Sequence, residues 1–153
     1  MTTDLILHRI LKAPRAAVWR CWTDPVLLAQ WFVPKPHQVT EVILDLRPGG
    51  RFFTRFNVDG NFHPNDGSIL AVVPGAHLVF TDLLLADWLP VAEPGLGFTA
   101  SISLKDHEGG TEYHVLARHR TPESAAAHEA MGFTHGWGMA ADQLEACAQG
   151  LPL

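Results

Sequence analysis

The chain has 153 residues, with 11 Lys and Arg against 16 Asp and Glu for a net charge of -5; charged residues make up 18% and hydrophobic ones 47%. That length reads as one domain, 1–153, able to bury about two-thirds of its unfolded surface, and the composition excludes disorder of the whole chain. The acidic balance argues against nucleic acid or an anionic membrane as partner, while five tryptophans are the unusual feature, since Trp is common where something binds.

Segment 1–12 carries Asp4, His8 and Arg9, so it lacks the uninterrupted apolar run of a signal peptide, and no stretch reaches the ~18 apolar residues of a membrane span. Cys21 and Cys147 fall in stretches that read as helices near opposite ends of the chain, without a CxxC spacing. Both read as reduced, buried small residues in a cytoplasmic protein.

The apolar run 5–11 predicts a strand, and Pro14 suits the first turn of a helix over 14–22. Thr23-Asp24-Pro25 repeats the start signal for a second short helix, with Leu27, Leu28 and Trp31 at i, i+1 and i+4; Pro34 and Pro36 end it. From Val39 to His119 the pattern has period two. It divides into strands at about 39–46, 50–57, 67–73, 77–84, 97–105 and 111–119. The turns Arg47-Pro48-Gly49-Gly50, Asp59-Gly60, Pro74-Gly75-Ala76 and Glu108-Gly109-Gly110 are tight, so consecutive strands are expected to be antiparallel. Thr121-Pro122-Glu123 caps a last element in which Ala130, Phe133, Trp137, Ala141, Leu144 and Ala148 form one apolar stripe. This predicts a single long helix closed by Gly150. Gly132, Gly136 and Gly138 within it either allow close packing on the sheet, or leave room for a ligand beside Trp137 or a bend.

Strand parity orients the sheet. Phe98, Ala100, Ile102 and Leu104 alternate with Thr99, Ser101, Ser103 and Lys105, so the first set faces the helix. The same rule turns Tyr113, Val115, Ala117 and His119 inward, with Val42, Leu44 and Leu46 and with Phe52, Thr54 and Phe56, and leaves Arg51, Phe53 and Arg55 outside. The result is a two-layer α+β domain: a curved antiparallel seven-stranded sheet around a long C-terminal helix, with two short helices after strand 1. One helix over seven strands predicts a groove or cavity between the layers.

Asp24-Pro25 followed by Leu28 and Trp31-Phe32, the run Asp45-Leu46-Arg47-Pro48-Gly49-Gly50-Arg51-Phe52, Asp59-Gly60, Leu78-Val79-Phe80-Thr81, Gly109-Gly110-Thr111, and Gly136-Trp137 with Leu144 occur in an order that resembles AHSA1-like proteins. These belong to the START-like, or SRPBCC, superfamily. The resemblance covers essentially the whole chain and implies a helix-grip (START-like, Bet v 1-like) fold. Relatives across the superfamily bind lipids, sterols or aromatic polyketides, and some catalyse cyclisation or hydrolysis in the cavity. The family takes its name from an activator of the Hsp90 ATPase, a co-chaperone with a further N-terminal domain, so Hsp90 is not carried over as a partner.

Nine histidines invite a metal hypothesis, but the chain has no HxxxH or HExxH; parity puts His114 and His119 on opposite faces, and His128 and His135, seven apart, lack a third ligand. No metal and no cofactor is expected. For acid–base chemistry His119 is the first candidate, being inward and titratable near neutrality, with Tyr113 and His135 second; the alternative is that His119 and Tyr113 hydrogen-bond at the cavity rim. Asp82 shares its parity with Leu78 and Phe80 and is either an inward carboxylate or solvated. No nucleophile presents itself, and Gly49-Gly50 lacks the GK[ST] of a phosphate loop.

Trp31, Trp88 and Trp137 are the expected ligand contacts, joined by Phe52, Thr54, Phe56, Phe98, Ile102, His119 and Phe133, whereas Trp19 and Trp22 are read as anchoring the first helix. The apolar loop 86–95 is either a cavity lid or a subunit contact, which with the low charge leans toward a homodimer. The expected function is binding of a small hydrophobic or aromatic molecule. The rivals are a cyclase- or hydrolase-like enzyme on an aromatic polyketide-like substrate, and a co-chaperone-like interaction module.

Overall fold

Sequence alternation becomes a sheet in the computed structural model, which describes residues 2–152. Strands β1 (Asp4–Leu11), β2 (Gln38–Leu44), β3 (Arg51–Val58), β4 (Asn61–Val73) and β5 (His77–Thr81) join β8 (Phe98–His107) and β9 (Gly110–His119) in the order β1-β9-β8-β5-β4-β3-β2. Every neighbouring pair is antiparallel. Between β5 and β8 the chain makes a small hairpin of β6 (Leu84–Leu85) and β7 (Leu89–Pro90) around a 3-10 turn at Ala86–Trp88.

β1 and β2 occupy opposite edges of the sheet, and helices α1 (Arg15–Thr23) and α2 (Pro25–Trp31) connect them. The Asp24 carboxylate caps α2 by accepting from the Val26 and Leu27 amides at 2.9 and 3.4 Å, with Pro25 in the first turn. After β9, α3 (Pro122–Ala130) starts on a Thr121 hydroxyl that accepts from the Ser124 amide at 3.1 Å. α4 (Phe133–Gln149) packs on α1, α2 and β1.

Polar ties fix α4 in place. Gln143 donates to the Trp31 and Val33 carbonyls at 2.9 and 2.8 Å and accepts from the Lys35 amide at 2.9 Å. Glu145 accepts from the Lys12 amide at 2.7 Å, and Gln149 donates to the Lys12 carbonyl at 2.9 Å. Both connections flanking the helix pair are thus clamped onto one helix.

The inward parities hold: Ala100, Ile102 and Leu104 on β8, and Tyr113, Val115, Ala117 and His119 on β9, are buried. Several expectations are corrected. The predicted long helix is two, because Gly132 takes φ +96 and breaks it between α3 and α4; Ala130 is consequently exposed rather than part of the stripe. Gly138 serves close packing of another kind, since a Cβ there would lie 2.8 Å from the Arg9 guanidinium of β1. Leu46 lies beyond the end of β2 and is exposed. Phe53 does face outward, but the Arg51 and Arg55 guanidiniums lie 4.7 and 5.6 Å from its ring centroid and it is buried. β4 begins at Asn61, six residues earlier than the prediction, and contains Pro64. Over that stretch it pairs only with β3, so the missing N–H of the proline falls on an unpaired edge. Among the described residues no helix is long and apolar enough to cross a membrane.

Candidate functional site

Five elements, α1, α2, α4, β3 and β5, bring aromatic rings together between the sheet and the helices. Trp22 of α1 is the hub, with ring centroids 4.9 Å from Trp31, 5.4 Å from Phe32, 6.0 Å from Phe80 and 6.5 Å from Trp137. Phe52 closes the sheet side, 4.7 Å from Phe80 and 5.9 Å from Phe32. The cluster is layered. Trp22, Trp31, Phe52 and Phe80 are buried, while Phe32, Phe56 and Trp137 are half-buried and lie within 6.1 and 6.2 Å of one another through Phe32. The half-buried rings thus stand between the hub and solvent.

The two indole N–H groups behind that layer have different fates. Trp31 donates to the Cys21 carbonyl at 2.9 Å. Among the described residues Trp22 Nε1–H is buried without an acceptor in hydrogen-bonding geometry. The Tyr113 hydroxyl lies beside it, too poorly aligned for a full hydrogen bond: burial drives the phenol pKa up, and hydrogen bonding with the Trp22 N–H pulls it partly back. Tyr113 is 1% exposed and keeps its proton at neutral pH. A buried donor without a well-aligned partner costs about 1–3 kcal/mol, and the Tyr113 hydroxyl oxygen is the acceptor nearest to this N–H.

A second cluster lies at the end of β9. His119 Nδ1 is 3.0 Å from the Thr3 carbonyl, and its Nε2 is 2.8 Å from His128 Nδ1. A carbonyl only accepts, so in the neutral pair His119 donates to Thr3 and accepts from His128, which fixes both tautomers. Burial first, and the neighbouring His119 second, push the His128 pKa down to about 4. His128 is therefore a neutral imidazole at pH 7. Phe98 stacks on His119 at 5.8 Å, and Phe133 meets His128 edge-on at 5.1 Å and Trp137 at 5.8 Å, joining the two clusters.

Of the residues expected from sequence, Trp31, Phe52, Phe56 and Trp137 meet in the aromatic cluster, Phe98, His119 and Phe133 meet around His128, and Ile102 and Thr54 are buried in the sheet. Trp88 is not among them. It is 54% exposed on the outer hairpin, and its indole lies over Gly49. His135 is exposed too, lining an open depression of about 700 Å³ outside α4 with Arg9 and Asp142, so it does not join His119 or Tyr113. A smaller depression of about 210 Å³ lies beside α3. Asp82 is a loop anchor, accepting from the Gly97 and Phe98 amides at 3.2 and 2.9 Å. Among the described residues no three His, Cys, Asp or Glu side chains converge as metal ligands.

The sequence reading missed Trp22, Phe32, Phe80 and His128 as site members. A usable signal existed for Trp22: Val18, Cys21 and Trp22, at i, i+3 and i+4, are the buried residues of α1. His128 was obscured by the broken helix, which puts it and His135 on different elements.

A family model for Activator of Hsp90 ATPase homolog 1-like protein matches residues 12–149. Among solved structures, protein NE0264 from Nitrosomonas europaea is 40% identical, with a TM-score of 0.93 over 96% of this chain and 94% of that one. Protein Ms6760 from Mycobacterium smegmatis is 25% identical, with a TM-score of 0.81 over 99% and 94% of the two chains. An AHSA1-like protein from Aeromonas hydrophila, at 20% identity and a TM-score of 0.74 over 95% and 92%, shares the fold. No curated protein matches the chain.

Proposed function

Since the chain belongs to the AHSA1-like family, with the helix-grip fold of the START-like superfamily, we propose that it binds one small aromatic or apolar molecule in the ring cluster between sheet and α4. The observation that carries this reading is the Trp22 indole N–H, buried without an acceptor behind a half-buried layer of rings. A flat ligand with a carbonyl or ether oxygen would place that acceptor in the plane of the Trp22 indole, at its N–H edge, and pack its own ring against Phe32 and Trp137. The ligand would enter past Phe32 and Trp137, the half-buried rings that solvent already reaches, by a shift of their side chains. Rings exchange one set of apolar contacts for another at small cost, whereas the N–H gains a hydrogen bond.

The test is a thermal-shift series against fatty acids, sterols and aromatic carbonyl compounds, repeated on Trp22→Phe. A ligand bound at the indole raises Tm in the parent protein in proportion to RT ln(1 + [L]/Kd) and loses most of that rise in the variant. No shift with any class removes the reading and favours an interaction module, for which the exposed Trp88 and Leu89 are the obvious surface.

A second reading rests on the His119–His128 pair. A neutral His128 imidazole with its Nδ1 2.8 Å from His119 Nε2, one ring away from Trp137, supports proton transfer on a bound aromatic substrate. Under this reading His119→Ala abolishes turnover and leaves ligand affinity nearly intact. Unchanged turnover assigns the pair to structure alone, as a clasp holding Thr3 and α3 to the end of β9.

A further inference from the structure

Cys21 and Cys147 stand 126 positions apart in sequence, yet their sulfurs are 3.3 Å apart across the α1–α4 contact. Both are free thiols, Cys21 buried as expected, whereas Cys147, expected to be buried as well, is only half-buried. Cys21 is fully buried and its S–H points at Cys147 Sγ; Cys147 is half-buried and faces Gln30 Oε1 at 3.8 Å. Burial, then the hydrogen bond to Cys147, push the Cys21 thiol up to about 12. The buried sulfur thus keeps its proton, and Cys147 is the one an aqueous oxidant meets.

We propose that Cys147 and Cys21 are a reversible dithiol–disulfide pair, with Cys147 taking the first oxidation by a peroxide and Cys21 closing the bond. The Cys147 sulfur, as thiolate, attacks one peroxide oxygen. The O–O bond breaks, the second oxygen leaves as water with the proton lost by the thiol, and Cys147 becomes a sulfenic acid. The Cys21 sulfur then attacks the Cys147 sulfur. The S–O bond breaks, and the departing hydroxyl leaves as water with the Cys21 proton. Two thiols lose two electrons and one peroxide becomes two waters. Closure moves the sulfurs from 3.3 Å to about 2.05 Å.

The bond would tie α1 to α4 directly behind the rings, because the Cys21 carbonyl accepts from Trp31 and Trp22 is the next residue. The dithiol chemistry itself does not depend on a ligand being bound there.

The experiment exposes the purified full chain to one equivalent of hydrogen peroxide and maps peptides under non-reducing conditions. The expected product is one chain with Cys21 linked to Cys147, lighter by two hydrogens, with a raised Tm and restored by dithiothreitol. In Cys21→Ala, and in Cys21→Ser as a control on folding, dimedone labels a persistent Cys147 sulfenic acid that the parent protein does not accumulate. In Cys147→Ala, Cys21 stays a thiol. Oxidation of the parent Cys147 to sulfinic acid with Cys21 left free, a Cys147–Cys147 bond between chains, or equal oxidation of Cys21 in Cys147→Ala would each overturn the proposal.

Discussion

Acidification gives the sharpest reading of the His119–His128 pair. His128 has an ordinary pKa of 6.5 and sits at about 4 in the folded chain, so between those values the unfolded state binds more protons than the folded one. Stability then rises with pH across this window: it is fully present above 6.5 and is lost as pH falls toward 4. At about 1.4 kcal/mol per pH unit the whole shift would be worth about 3 kcal/mol; incomplete titration at about pH 4.5 and relaxation of the site around the charged ring leave about 1–2 kcal/mol. Urea unfolding at about pH 7.5 and about pH 4.5 measures it, compared with His128→Asn, which keeps a donor near the Nδ1 position but cannot titrate. The carboxylates titrate in both proteins and cancel in the difference. The parent protein loses about 1–2 kcal/mol more than the variant. Equal acid losses in the two would refute the assignment of His128 as a buried neutral base.

Two further outcomes test packing. Leu144 of α4 is 0% exposed, and Leu144→Ala lowers the free energy of unfolding by about 2–5 kcal/mol, read by denaturant titration; a loss below about 1 kcal/mol would mean that α4 does not grip the sheet. Gly132→Ala forces a Cβ into φ +96 and costs about 1–2 kcal/mol by the same assay, whereas a stabilised variant would mean that α3 and α4 run on as one helix.

The sheet was readable where each strand has one wet and one dry face. Phe98 to Lys105 alternates without error, and in the structure Ala100, Ile102 and Leu104 are buried while Lys105 is exposed. The caps were readable because Asp24 and Thr121 act through neighbours only two or three residues away. What failed was non-local. Pro64 reads as a breaker until one knows that its edge of β4 is unpaired, and Phe53 reads as exposed until two arginines are folded over it. The approach of Cys21 to Cys147 leaves no mark in a sequence that separates them by 126 residues. The apolar stripe from Ala130 to Ala148 was right from Phe133 onward and out of phase before it, because Gly132 was read as an interior residue and not as a break. The aromatic cluster was legible in part, since Trp31 and Trp137, two of the tryptophans expected to contact a ligand, do lie together in it. Its hub was not, because Trp22 was given to the helix anchor although the structure puts it at the centre of the rings.

The central claim is that the unpaired Trp22 indole is where a ligand's acceptor docks. The five tryptophans give five indole N–H resonances, and Trp22→Phe identifies the one that matters. Titration with 1,4-naphthoquinone, a flat ring carrying two carbonyl acceptors, followed by 15N–1H correlation spectra, reads that proton directly. The predicted result is a saturable downfield shift of the Trp22 indole proton with perturbation of Trp137, while the exposed Trp88 stays in place. A shift confined to Trp88, or no saturable change at Trp22, would contradict the account.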